Sequence, residues 1–277
     1  MRRSPWTIVR RVLLVLLFGG VTIYSLFPMY WMVISGLRAR QALFQPLLLP
    51  GPSAWKSYDT ILRLTDFPTY YVNSIVVACS TTLLTILVAT PMAYALVRSR
   101  LPGMMVIVRA MLFAYMFPAL LLAIPIYMFL VKIGFDDSLF SLVLTYCSFT
   151  LPLGVWLMWG FFKSFPFEVE EAALVDGCSR WQAIYRVILP ITLPGVLTVA
   201  IFGFLLAWSD FVFCLILISR DALKTLPYGL ASMTDAYDAN WGELMAGSTM
   251  ISLPLLILFA FLGRYFIRGL SMGAVKS

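Results

Sequence analysis

Glu168, Glu170, Glu171, Asp176, Arg180 and Arg186 stand within 19 residues of one another, in a chain whose neighbouring segments are almost entirely apolar. Carboxylates and guanidiniums at this spacing can serve acid–base catalysis, metal binding or a polar docking contact. The companions that the first two need are missing. The chain has no histidine, the commonest general base and metal ligand. Cys79, Cys147, Cys178 and Cys214 are scattered without a close pair, which indicates neither a metal site nor a disulfide framework. No Gly-Lys pair occurs, so there is no G-x-x-x-x-G-K phosphate cradle and ATP is not bound in that way. A membrane hydrolase or transferase would need a convergent acid, base or nucleophile cluster, and the apolar segments hold no paired acids. They hold one acid, Asp210. An intramembrane carboxylate is a functional-site candidate by its position. Counting about 1.5 Å per residue from Ile191 puts it near the outer half of a bilayer, where a hydrogen bond to a neighbouring helix or a wet vestibule also accounts for it.

The charged stretch must be held by short helices. Pro166 suits a first helical position, and Glu168, Glu170 and Glu171 crowd the following turn, where acids complement the helix dipole. Asp176-Gly177 is a turn signal, and Ser179 with Gln182 three residues later has the form of a capping box that opens a second helix. In that helix Trp181, Ile184, Tyr185 and Ile188 follow the spacing of one apolar stripe, so it has a face to bury. Pro190 and Pro194 come next, at the entry of the following apolar run. A helix lying flat on an anionic membrane surface would be repelled through these acids, so the stretch reads as a mechanical contact.

The elements around it are membrane helices. Of 277 residues, 61% are hydrophobic and 12% charged, and the mean hydropathy is +0.92; soluble domains carry about 25% charged residues. Apolar runs near the 20 or so residues that a span needs cover 12–35, 72–97, 110–131, 138–162, 191–219 and 244–263. The chain reads as one all-α integral membrane domain of six transmembrane helices. The first run follows Arg2, Arg3, Arg10 and Arg11 but is too long for a signal-peptide core and lacks a cleavage site, so it reads as a retained helix. Six spans put both termini on one side. The termini and the 98–109 and 163–190 connections together hold 13 Lys and Arg, against 7 in the other three connections. The positive-inside rule therefore makes the termini and the charged island cytoplasmic, and it also explains the net charge of +7 without nucleic acid.

Of the three connections that then face outward, two are long. The 36–71 connection, with Pro46, Pro50, Gly51 and Pro52, reads as a cap. The 220–243 connection mixes Tyr228, Tyr237 and Trp241 with Asp221, Asp235 and Asp238, which suits a solvated loop or a docking surface. Pro91, Pro118, Pro125, Pro152, Pro194 and Pro254 lie in or near the spans and bend them. Tyr115, Tyr127, Tyr146 and Trp156 are aromatic candidates for lining a path through the membrane, a place where packing is the commoner role.

Glu171-Ala172-Ala173, three residues, Gly177, nine residues and Val187-Ile188-Leu189-Pro190 together resemble the EAA motif of ATP-binding-cassette importer permeases. Trp208-Ser209-Asp210-Phe211, Arg264-Tyr265-Phe266, Gly269-Leu270 and Gly273-Ala274-Val275-Lys276 resemble the carbohydrate-uptake branch, in particular its maltose-permease-G-like subunits. The likeness extends over nearly the whole chain. Ser209 stands where that branch usually has Asn, and Val187 where the motif has Ile. The resemblance implies a permease subunit of a bacterial inner-membrane carbohydrate importer. Its partners would be a second permease, a dimer of ATPase subunits that bind ATP and Mg, and an extracytoplasmic solute-binding protein. Residues 163–190 would be the coupling-helix pair between spans four and five. In it Glu171 would make polar contacts to the ATPase, Ala172 and Ala173 would allow close approach, and Asp176-Gly177 would make the bend before Leu189 and Pro190. The tail Gly273 to Lys276 would also reach the ATPase, and Tyr237, Asp238 and Trp241 would touch the binding protein. Asp210, Tyr115 and Tyr127 are the candidates for the substrate path. An importer of a phosphorylated polyol such as glycerol 3-phosphate, and an ion-coupled secondary transporter with Asp210 as its coupling group, are the alternatives.

Overall fold

A computed structural model describes residues 5–38, 55–98, 103–164, 166–233 and 240–274, the last eleven by backbone alone. Its regular elements are helices: α1 (Pro5–Gly36), α2 (Lys56–Arg63), α3 (Phe67–Arg98), α4 (Met104–Tyr115), α5 (Ala123–Lys132), α6 (Leu139–Ser164), α7 (Phe167–Val175), α8 (Arg180–Ala183), α9 (Leu189–Ser209), α10 (Val212–Leu217), α11 (Leu226–Ser232) and α12 (Trp241–Ala274). Among the described residues, five single helices are long and apolar enough to cross a membrane, and the spans number six when α4 and Ala119–Lys132 count as one bent span.

The bent pair departs from the simple reading of 110–131 as one helix. Its two halves meet at 90°. The cause is local: Pro118 disfavours helical geometry at Phe117 and is itself extended, with ψ 114°. The helices also outrun the apolar runs. α1 starts at Pro5 and α12 continues to Ala274, because helical hydrogen bonding does not stop where the lipid does. The 191–219 run differs most: α9 ends at Ser209, and a short separate helix, α10, carries the chain on.

The helices divide into two compact units, residues 1–67 with 230–253 and residues 68–229 with 254–277. In the first, a Cβ on Gly36 of α1 would stand 2.9 Å from the Ala246 amide of α12, and one on Gly247 would meet Leu230 and Ile61 at 2.6 and 2.9 Å. Without side chains at these points the backbones approach closely, which is how helices associate where the hydrophobic effect offers no net drive.

The second unit is built around α3, α6 and α9. Its core joins Ala89, Ala93 and Leu96 of α3, Val108 of α4, Val155, Met158 and Phe162 of α6, and Ile188 and Val199 at and within α9. Small residues again set the spacing. A Cβ on Gly154 would touch Thr85, Ala89 and Val199 at 3.1–3.2 Å, and one on Gly195 would enter the Phe161 ring at 2.6 Å. A buried hydrogen bond of 2.6 Å between the Thr85 and Thr150 hydroxyls ties α3 to α6.

Both ends of α3 are anchored. At its start, the Asn73 amide donates to the Ala222 and Lys224 carbonyls at 2.9 and 3.0 Å, and the Leu226 amide donates to the Ser74 hydroxyl at 2.7 Å. At its end, Arg98 pairs with Glu170 at 2.7 Å. The 25 residue steps from Asn73 to Arg98 span about 38 Å of helix, more than the ~30 Å hydrocarbon core. Residues 222–226 and the charged stretch around Glu170 therefore sit at opposite ends of this unit.

Candidate coupling surface and membrane path

The charged stretch folds as two short helices joined by a tight turn. Pro166 precedes α7 as its cap, with ψ 134°, and Phe167 takes the first helical position expected of the proline. α7 closes with Gly177 at φ +88°. The Gly177 amide donates to the Leu174 carbonyl at 3.1 Å and the Cys178 amide to the Ala173 carbonyl at 3.0 Å, the paired bonds of a Schellman motif. A Cβ at Gly177 would meet nothing within 4 Å, so the glycine is there for its left-handed backbone and not for space. Ser179 then caps α8. Its hydroxyl accepts from the Gln182 amide at 3.3 Å while the Gln182 side chain accepts from the Ser179 amide at 2.8 Å, both arms of the expected box.

α8 does not stop before the membrane. It passes through a π turn, Ile184–Ile188, into α9, so that Arg180–Ser209 is one helix of 30 residues. Pro190 lacks the N–H that the Arg186 carbonyl would otherwise receive, and a π turn is one way a helix absorbs such a gap.

The apolar stripe expected of α8 is split. Ile188 and Ala183 are buried, whereas Trp181 and Tyr185 are 67% and 63% exposed and stack on one another at 6.3 Å. Bending into α9 turns Ile184 and Ile188 toward the core and leaves the two rings outside. Val175, 86% exposed, and Leu174 are outside as well, and so are Glu171, Ala172, Asp176 and Gly177. Leu189 is half-buried and Pro190 exposed, while Ala173 is turned inward.

Sequence reasoning passed over Glu170, which is buried. Its carboxylate accepts a hydrogen bond from the Tyr94 hydroxyl and pairs with Arg98. The signal was available in the register: Glu170 and Ala173 are three apart on one face of α7, and Glu171 points the other way.

Toward the other end of the bundle Asp210 separates α9 from α10. One carboxylate oxygen accepts from the Tyr146 hydroxyl at 2.8 Å and from the Phe213 and Cys214 amides at 2.9 and 3.3 Å. Asp210 thus caps α10 and ties it to α6. Ser209 beside it is exposed. Tyr115 lines a cavity of about 190 Å³ with Thr150, Gly154, Val199, Phe202 and Gly203. Small-molecule pockets run from about 300 Å³ upward, so this cleft alone does not enclose a sugar. Tyr127 lies outside that cavity and is 41% exposed on α5. Trp241 opens α12 and is half exposed, Gly273 and Ala274 end the same helix, and Tyr237, Asp238, Val275 and Lys276 fall outside the described residues.

Comparison with known proteins matches residues 82–272 to the family described as binding-protein-dependent transport system inner membrane component. The chain is 34% identical to the inner membrane ABC transporter permease protein YcjP of Escherichia coli (strain K12), over 92% of each chain. It is 34% identical to the diacetylchitobiose uptake system permease protein DasC of Streptomyces coelicolor, over 95% of this chain and 94% of that one. It is 30% identical to the trehalose/maltose transport system permease protein MalG of Thermococcus litoralis, over 97% and 98%. Among solved structures, a chain of a bacterial ABC transporter involved in the import of the polysaccharide alginate superposes with a TM-score of 0.82 at 20% identity, over 96% of this chain and 99% of that one.

Proposed function

The chain belongs to the family of inner membrane components of binding-protein-dependent transport systems, and from that premise we propose that it is one permease subunit of an ATP-driven carbohydrate importer. A second permease completes the path, two ATPase subunits hold ATP and Mg, and the binding protein delivers the sugar. Relatives named for diacetylchitobiose and trehalose/maltose support the substrate class.

The observation that carries the reading is the build of the α7–α8 pair. It exposes Trp181, Tyr185, Val175 and Leu174 together with Glu171 and Asp176, the mixture of aromatic, apolar and charged side chains of which docking surfaces are composed. Its inner side is fastened to α3 and continues into α9. The cytoplasm is the side on which this pair sits, as the excess of Lys and Arg in its connections supports, and both termini share that side. Closure of the ATPase dimer around ATP pulls the pair. The 30-residue helix Arg180–Ser209 moves with it, and the path turns from inward-facing to outward-facing. The bias between these two states comes from the tighter binding of ATP to the closed dimer. Trp241 and the segment before it meet the binding protein, and the end of α12 meets the ATPase.

ATP hydrolysis by the complex in lipid tests this reading. Binding protein loaded with trehalose, maltose or diacetylchitobiose raises the rate above that with empty binding protein. A rate indifferent to every loaded binding protein contradicts it.

A further inference from the structure

We propose that Glu170 is a positioning residue that fastens the coupling pair to α3, so that α3 moves with α9 when the pair is pulled. The proposal rests on the reading of the α7–α8 pair as the surface that receives the ATPase stroke.

α7 buries two of its residues, Glu170 and Ala173. A carboxylate buried this far is costly unless it is paired, and here one oxygen accepts the Tyr94 hydroxyl while the other is held by the charge of Arg98 at 2.7 Å, without the alignment of a hydrogen bond. The side chains of Arg98 and Glu170 are 14% and 8% exposed, so water does not screen the pair as it does at a surface. Aromatic rings enclose it. The guanidinium lies over Phe167 at 4.9 Å and over Tyr94 at 5.9 Å, and Tyr94 meets Phe162 edge-on at 5.7 Å. The joint thus takes Phe167 and Glu170 from α7, Tyr94 and Arg98 from α3 and Phe162 from α6. A loose tether would need none of this. A desolvated ion pair fixed by the Tyr94 hydrogen bond transmits displacement in two directions, because neither charge can leave without stranding the other.

The chain itself links α7 forward to α8 and α9 and backward to α6. It supplies no direct link to α3. The Glu170 joint adds one, at the end of α3 remote from Asn73. Because Asn73 holds the Ala222 and Lys224 carbonyls, the same continuous helix, Phe67–Arg98, connects the coupling pair with the outward segment that precedes α11. A change at either end reaches the other through α3.

The test uses the full complex in proteoliposomes and reads molecules of radiolabelled sugar imported per ATP hydrolysed, with trehalose, maltose and diacetylchitobiose as probes. This ratio does not depend on how much complex folds, so a merely structural role leaves it unchanged. Glu170→Gln keeps an acceptor for Tyr94 and removes the charge facing Arg98. The expected result is a ratio lowered roughly 5- to 100-fold, the range of coupling between sites. Tyr94→Phe, which spares the ion pair, lowers it less and remains readable if Glu170→Gln fails to assemble. The exchanged pair Arg98→Glu with Glu170→Arg recovers part of what either single change loses. An unchanged ratio in Glu170→Gln, or in Tyr94→Phe if only that variant assembles, overturns the proposal even if uptake and hydrolysis fall together. A wild-type complex whose hydrolysis ignores the loaded binding protein overturns the functional reading and this proposal with it.

Discussion

Gly177 offers a prediction whose order of outcomes separates two explanations. Its φ of +88° places it in the left-handed region, where a residue with a Cβ pays about 1–2 kcal/mol. The added Cβ meets nothing within 4 Å, so within this chain the whole penalty is conformational. Gly177→Ala should then lower the population of the native turn by roughly 5- to 30-fold relative to its competitors. Asn tolerates left-handed geometry better than Ala, so Gly177→Asn costs less despite its larger side chain. Gly177→Val costs most, since a β-branched residue is an outlier at positive φ. Binding-protein-stimulated ATP hydrolysis, read at matched amounts of assembled complex, should rank wild type, Asn, Ala, Val. A steric explanation, in which any side chain at this position strikes the ATPase cleft, ranks Ala above Asn. Finding Ala clearly better than Asn refutes the conformational argument and moves the role of Gly177 to the interface.

Asp210→Asn keeps an acceptor for Tyr146 and the two amides and should retain most uptake, whereas Asp210→Ala strands them at a cost of about 1–3 kcal/mol and lowers the thermal stability of the purified chain; equal loss of uptake in both variants would instead mark an ionic role. Asn73→Ala removes two hydrogen bonds worth about 1 kcal/mol each, and limited proteolysis should then cut within residues 220–233 faster than in wild type while cleavage elsewhere is unchanged. Asp137 carries a pH prediction. Burial pushes its carboxyl up, but the Ser219 and Arg220 amides and the Arg220 guanidinium outweigh this and hold it below the usual range. Its folded pKa is lower than its unfolded value of about 3.9, so the stabilisation is complete above that value and is lost as the pH falls through the folded pKa. Thermal unfolding of Asp137→Asn measured from pH 7 down to pH 3 should approach the wild-type curve at the acid end and lie below it at neutral pH; parallel curves would contradict this.

What could be read from the sequence was whatever rests on local chemistry. The capping box at Ser179 and the turn at Gly177 depend on side chains within four residues, and both appear in the structure as expected. The apolar runs also announced the membrane helices, because hydropathy is a sum over many residues and tolerates error at the ends. The break at Pro118 was harder to read, since proline bends some membrane helices and interrupts others according to what the neighbours can satisfy. Trp181 and Tyr185 were misplaced for a different reason. Their spacing matches a helical stripe, yet which half of the stripe is buried depends on α8 running on into α9, and the period carries no such information. Glu170 was hidden among its acidic neighbours: three glutamates in one turn look alike until Tyr94 and Arg98, more than 70 residues earlier in the chain, choose one. The capping role of Asp210 likewise required knowing that α9 ends at Ser209.

The most direct test of the account is the energy source for uptake. Proteoliposomes containing both permeases and the ATPase subunits, loaded with ATP and Mg inside and given binding protein and radiolabelled sugar outside, are assayed without any ion gradient. Accumulation that requires internal ATP and the binding protein, and that stops when the ATPase subunits are omitted, is the predicted result. Accumulation by the permease alone under an imposed proton or sodium gradient would contradict the account and move the search for the driving force to Asp210.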